Sequence, residues 1–184
     1  MILHVANPIY DSVFKYIMSD ERISKTILSA LLKKEVVKVV MRPHEYVNAT
    51  RDTLSMFRID FAATVREKDV ESGEMKDRVI LIELQKTWLD TETLRFRQYL
   101  GAQYSNKINI RDDSPKGFAY PMVAVYLLGH RVGNINEPVV YVNHDVYDYD
   151  GEVIKEGKEE PFVESLTHNS IIVQIRQLRG RVNN

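Results

Sequence analysis

The sequence predicts a single mixed α/β domain, and three features of its 184 residues carry that prediction. Two amphipathic helical patterns stand near the start of the chain. Two strand-like runs then flank a polar, Gly-containing turn, the outline of a β-hairpin. After them a helix-length segment leads to a short, nearly continuous apolar run, a pattern that permits a parallel crossover onto a buried strand. With 44% hydrophobic residues, the chain can bury a substantial core, and 1–184 reads as one domain.

Each element has a local reason. Asn7-Pro8 offers a cap and a first-turn proline, and Ile9, Val13, Phe14, Tyr16 and Ile17 recur at helical spacing, which predicts a helix over about 8–18. Ser19-Asp20 caps a second helix whose Ile23, Ile27, Leu28, Leu31 and Leu32 form one stripe ending near Lys33-Lys34. The β-branched run Val36–Met41 is extended and stopped by Pro43, and 44–53 is polar loop. Strands follow at about 55–67 and 78–86, joined through 68–74. Asp90 or Thr91 caps a long helix through about Lys107, and Pro121–Leu128 is a buried strand bounded by Pro121 and Gly129. Further extended stretches are expected at 138–142 and 170–176, with polar loops between them and no repeat or interdomain linker.

Composition narrows the function classes. With no cysteine, disulfide frameworks and cysteine-zinc sites are excluded, so any metal must use oxygen or imidazole. The start of the chain lacks a basic n-region and a long apolar h-region, and no apolar run approaches the roughly 20 residues that span a bilayer. A soluble, cytoplasmic protein with no membrane partner is expected. Twenty-five basic residues face 26 acidic ones, so the net charge of −1 creates no global field for nucleic acid, and any such binding is local. The clusters at Lys33, Lys34, Lys38 and Arg42, at Arg95, Arg97, Lys107 and Arg111, and at Arg176, Arg179 and Arg181 read singly as solvated surface. Five dispersed histidines form no i, i+4 ligand pair, and neither a phosphate-cradling loop nor a nucleophile elbow occurs.

Chemistry concentrates in two segments, Arg58-Ile59-Asp60-Phe61 and Val79-Ile80-Leu81-Ile82-Glu83-Leu84-Gln85-Lys86. Alternation places Glu83 and Gln85 on one face of a strand and Ile80, Ile82 and Leu84 on the other. Polar groups on so apolar a strand cost stability unless metal, water or donors satisfy them. A hard cation such as Mg²⁺ or Mn²⁺ takes oxygen ligands and uses only one or two protein carboxylates, and Asp60 and Glu83 meet that need. The Leu84 carbonyl is a further candidate ligand, and Gln85 would orient water or phosphate. Metal there suits phosphodiester hydrolysis. A hairpin with polar edge residues is the ordinary alternative.

The order Tyr10-Asp11-Ser12-Val13-Phe14-Lys15, Ile59-Asp60, Ile82-Glu83-Leu84-Gln85, Leu94-Arg95-Phe96-Arg97-Gln98-Tyr99 resembles the PD-(D/E)xK nuclease family transposases, or recombination-promoting nucleases, of the restriction-endonuclease-like superfamily. The resemblance covers about 7–128 and leaves 129–184 as a strand and loop extension. It implies a restriction-endonuclease-like αβββαβ core, a central mixed sheet flanked by helices. It also implies Mg²⁺- or Mn²⁺-dependent DNA endonuclease activity, with Asp60 and Glu83 as metal ligands. Gln85 stands where the superfamily usually carries lysine, although this family commonly shows Gln there. A neutral amide lacks the lysine's charge. Lys15, with Asp11 one turn earlier, would compensate if the first helix reaches the site; an exposed Asp/Lys pair is the alternative. Lys86 points to the opposite face. Arg95 and Tyr99, with Gln103 one turn further, form a helical face that would bind a phosphate backbone or brace the carboxylates. A catalytically inactive module binding nucleic acid or protein is the competing class. Double-strand cutting commonly needs two active sites, which leaves a homodimer open. The basic ending Arg176–Asn184 stops short of the family's further helical segment, which implies a truncated C-terminus.

Overall fold

The computed structural model describes residues 11–42, 56–68, 72–91, 93–114, 116–154 and 160–178. Helices α1 (Asp11–Ser19) and α2 (Glu21–Leu32) are followed by strands β1 (Glu35–Arg42), β2 (Met56–Lys68) and β3 (Met75–Thr87). Helix α3 (Thr93–Ser105), a short 3-10 turn at Lys107–Asn109, and strand β4 (Met122–Leu128) come next. Strand β5 (Val139–Val142), helix α4 (Pro161–Leu166) and strand β6 (His168–Gln174) complete the described elements, with a 3-10 turn at Ile175–Gln177.

The predicted helix boundary holds at α2, where the Asp20 carboxylate accepts from the Arg22 backbone N–H at 2.9 Å. Lys33 ends that helix in the left-handed region at φ 54°. The second hairpin strand begins three residues earlier than expected, at Met75, and the turn's Gly73 takes φ 71°. Residues 69–71 of the expected turn, the cap at Asn7-Pro8 and the loop 44–53 lie outside the described residues. Helix α4 falls where loop was expected. Glu160 caps it through the Phe162 and Val163 N–H groups, with Pro161 in its first turn.

One six-stranded sheet runs in the order β1-β2-β3-β4-β6-β5. The first three strands pair antiparallel, β3–β4 and β4–β6 pair parallel, and β5 closes antiparallel onto β6. The parallel crossover expected from β3 to β4 is made through α3. Alternation divides the sheet into two unlike faces. Ile59, Phe61, Ala63 and Val65 of β2, Ile80, Ile82 and Leu84 of β3, Val125 and Leu127 of β4, and Ile171 and Val173 of β6 are buried together with Met18 of α1 and Leu28 of α2. The opposite face carries Asp60, Glu83, Gln85 and Tyr126, and α3 lies across it, its Phe96 ring 4.9 Å from that of Tyr126. The larger apolar layer thus lies between the sheet and the first two helices, which leaves the α3 side for polar groups.

Candidate metal centre

Asp60 stands directly opposite Glu83 in the β2–β3 register, so both carboxylates project from one face side by side. Both are buried, at 8% and 2% exposure, and Gln85, two residues along the same face, is wholly buried. The two acidic side chains expected to converge from adjacent strands do converge: a single Gln103 amide nitrogen of α3 donates to Asp60 Oδ2 at 2.8 Å and to Glu83 Oε2 at 3.0 Å. Gln85 Nε2 donates to the other Glu83 oxygen, Oε1, at 3.0 Å.

Gln103 is itself held. Asn109, in the 3-10 turn after α3, donates from Nδ2 to Gln103 Oε1 at 2.8 Å and to the Gln103 carbonyl at 2.7 Å. Arg42, at the end of β1, donates to Asn109 Oδ1. Three segments distant in sequence therefore meet at the carboxylate pair. Asn106 forms the local turn that makes this geometry, its side chain accepting from the Ile108 N–H at 3.1 Å.

On the same face, burial and then the nearby Glu83 carboxylate push the Tyr126 phenol up to about 12, so it stays protonated at neutral pH. Towards the start of β6, the Tyr104 hydroxyl and His168 Nδ1 lie 2.6 Å apart. Burial and then His144 hold the His168 imidazole below its usual value, and burial raises Tyr104.

The donor set suits a hard cation. Two carboxylates share one amide, and beside them Gln85 Oε1 is buried without a hydrogen-bond partner among the described residues. An orphaned buried acceptor next to paired carboxylates is what an oxygen-liganded divalent ion would satisfy. Among the described residues no three His, Cys, Asp or Glu side chains gather, and the acids on this face are Asp60 and Glu83.

Other sequence-derived candidates are placed differently. Helix α1 packs against the opposite face, where its Phe14 ring lies 5.9 Å from the Lys86 ammonium, and Lys15 is exposed on it. Lys15 is thus not brought to the carboxylates; the Asp11 side chain lies outside the described residues. Leu84 pairs with Ile59 on one side and Val125 on the other, and its side chain is buried on the face opposite the acids. Lys86 faces away from the acids, as alternation requires. Arg95 and Tyr99 are half-buried on the α3 stripe that ends at Gln103, about 12 and 6 Å from it along the helix axis. The bracing role expected of that stripe is realised by Gln103. Arg42, read from sequence as solvated surface, is half-buried and tied to Asn109. Asn109 had no sequence signal beyond a polar residue after a helix.

Comparison with protein-family models, curated proteins and solved structures returns no match. No described helix is long and apolar enough to cross a membrane.

Proposed function

We propose that the chain is a Mg²⁺- or Mn²⁺-dependent DNA endonuclease of the PD-(D/E)xK transposase type, built on a restriction-endonuclease-like core. The observation that carries this reading is the convergence of Asp60 and Glu83 from adjacent strands beside Gln85 Oε1, which has no hydrogen-bond partner among the described residues. The run of helix, three antiparallel strands, helix and parallel strand agrees with the order the sequence resemblance implies. Asp60 and Glu83 hold the cation, and Gln85 completes or orients its shell. When bound, such a cation lowers the pKa of a water and offsets charge on the scissile phosphate. Arg95 and Tyr99, on the helix that covers the site, contact the DNA backbone.

The test is nicking of supercoiled plasmid in Mg²⁺ or Mn²⁺ by the wild type, Asp60→Ala and Glu83→Ala. Loss of divalent-dependent cleavage in both variants is expected, and cleavage unchanged by both rejects these ligands. The second reading is a nuclease-fold module that binds nucleic acid or protein without cutting. The neutral Gln85 at the superfamily's lysine position favours it. DNA binding with neither metal binding nor cleavage would establish that reading instead.

A further inference from the structure

We infer that the Gln103 amide is a built-in competitor of the metal ion: it occupies the cation's place between Asp60 and Glu83, and the ion must displace it to bind. This rests on the metal-site reading above and adds a control on loading to it.

The direction of every hydrogen bond in the chain of contacts follows from its far end. A guanidinium only donates, so the Asn109 atom facing Arg42 is its oxygen. The Asn109 nitrogen must then face Gln103, to whose Oε1 it donates at 2.8 Å. With that oxygen engaged, the Gln103 nitrogen turns to the acids, one hydrogen for each carboxylate, at 2.8 and 3.0 Å. The usual ambiguity of amide orientation is removed by the relay itself.

Gln103 Nε2 therefore stands where an ammonium or metal bridging those two oxygens would stand. A magnesium ion sits about 2.0–2.1 Å from its oxygen ligands, so the nitrogen and an ion bridging the same oxygens exclude each other. Asp60 and Gln103 are each 8% exposed and Glu83 is 2% exposed, so no bulk water replaces the amide while it is in place. In the metal-free protein the amide stabilises two adjacent buried carboxylates. Loading costs both charge-assisted bonds, which lowers the net affinity for the ion.

The experiment is isothermal titration of the full chain with Mn²⁺ alone, together with thermal unfolding in EDTA and in Mn²⁺. Gln103→Leu removes the amide while keeping a good helix former. Asn109→Ala leaves the amide but frees its oxygen, so its nitrogen is no longer aimed. The expected result is Mn²⁺ binding about tenfold tighter in Gln103→Leu and about threefold tighter in Asn109→Ala. Both variants should show a lower metal-free Tm and a larger Mn²⁺-induced rise than the wild type, a pattern that simple loss of packing does not produce. Should Gln103→Leu fail to fold, Asn109→Ala decides. A folded variant that binds Mn²⁺ with unchanged or weaker affinity overturns the competitor role while leaving the metal site standing. Absence of Mn²⁺ binding in the wild type and both variants overturns the metal site, and this inference with it.

Discussion

Replacing Asp60 with asparagine should stabilise the metal-free protein while abolishing its response to divalent ions. Two bonds to one nitrogen hold Asp60 Oδ2 and Glu83 Oε2 no more than about 5.8 Å apart. At an effective dielectric near 20, two unit charges at that separation repel by about 3 kcal/mol. The substituted amide keeps an oxygen for Gln103 but loses the charge assistance of that bond, a loss of about 1 kcal/mol. From these two contributions the gain is about 2 kcal/mol, or about 4–8 °C in Tm for a chain of this size. Thermal unfolding by circular dichroism, in EDTA and again in Mn²⁺, reads both effects. An Asp60→Asn protein whose Tm in EDTA is unchanged or lower refutes the charge argument. A variant that keeps the wild-type Mn²⁺ shift removes Asp60 from the ligand set. The expected trade of stability against ion binding is typical of groups kept for function.

Three further outcomes follow from single sites. Because the His168 pKa is depressed by burial and then by His144, the unfolded chain takes up the proton first as pH falls. Its contribution to stability is full above about pH 6.5 and is lost as pH falls below that value, so Tm should drop from pH 7.5 to 5.5 by less in His168→Gln; an equal drop contradicts the assignment. A Cβ on Gly129 would lie 1.6 Å from a ring atom of Trp88, the chain's one tryptophan, so Gly129→Ala must displace that ring. A shifted emission spectrum and a loss of about 1–3 kcal/mol are expected, and an unchanged spectrum would deny the contact. Lys15 is exposed on a helix packed against the other face, so Lys15→Ala should leave Mn²⁺ affinity within about twofold. A tenfold loss would place α1 at the acids after all.

Much of the fold is legible because its signals are local. Asp20 capping α2, the β-branched run of β1 and the apolar run of β4 need nothing beyond near neighbours to specify them. The same holds for the face assignments on β3, where period-2 alternation separates Glu83 and Gln85 from Ile82 and Leu84. Helix α4 was less visible, since six residues give too few turns for a periodic pattern, although Glu160-Pro161 carries the cap signature. The Arg42–Asn109–Gln103 relay shows a different limit. Asn109 follows Gln103 by six residues, but Arg42 lies on β1, 67 residues before Asn109, and nothing local to either end specifies the other. Helical spacing could mark Gln103 as sharing a stripe with Tyr99, but only the crossover from β3 to β4 through α3 lays that stripe over the acids.

The lysine in Glu83-Leu84-Gln85-Lys86 shows why spacing on a strand outweighs residue type. Lys86 would reach the acid face if β3 slipped by one residue, but that slip would turn Glu83 and Gln85 into the apolar layer beside Phe61 and Val125. Unbroken pairing of β3 with β2, from Met56 opposite Thr87 to Lys68 opposite Met75, forbids it. The ammonium instead lies 5.9 and 6.0 Å from the rings of Phe14 and Trp88, on the side of the first helix. The Lys86 charge is thus turned away from the carboxylates. The neutral amides of Gln85 and Gln103 stand at the carboxylates instead. An amide satisfies a carboxylate's lone pairs without bringing a positive charge, so each of these contacts is a charge-assisted hydrogen bond and not an ion pair.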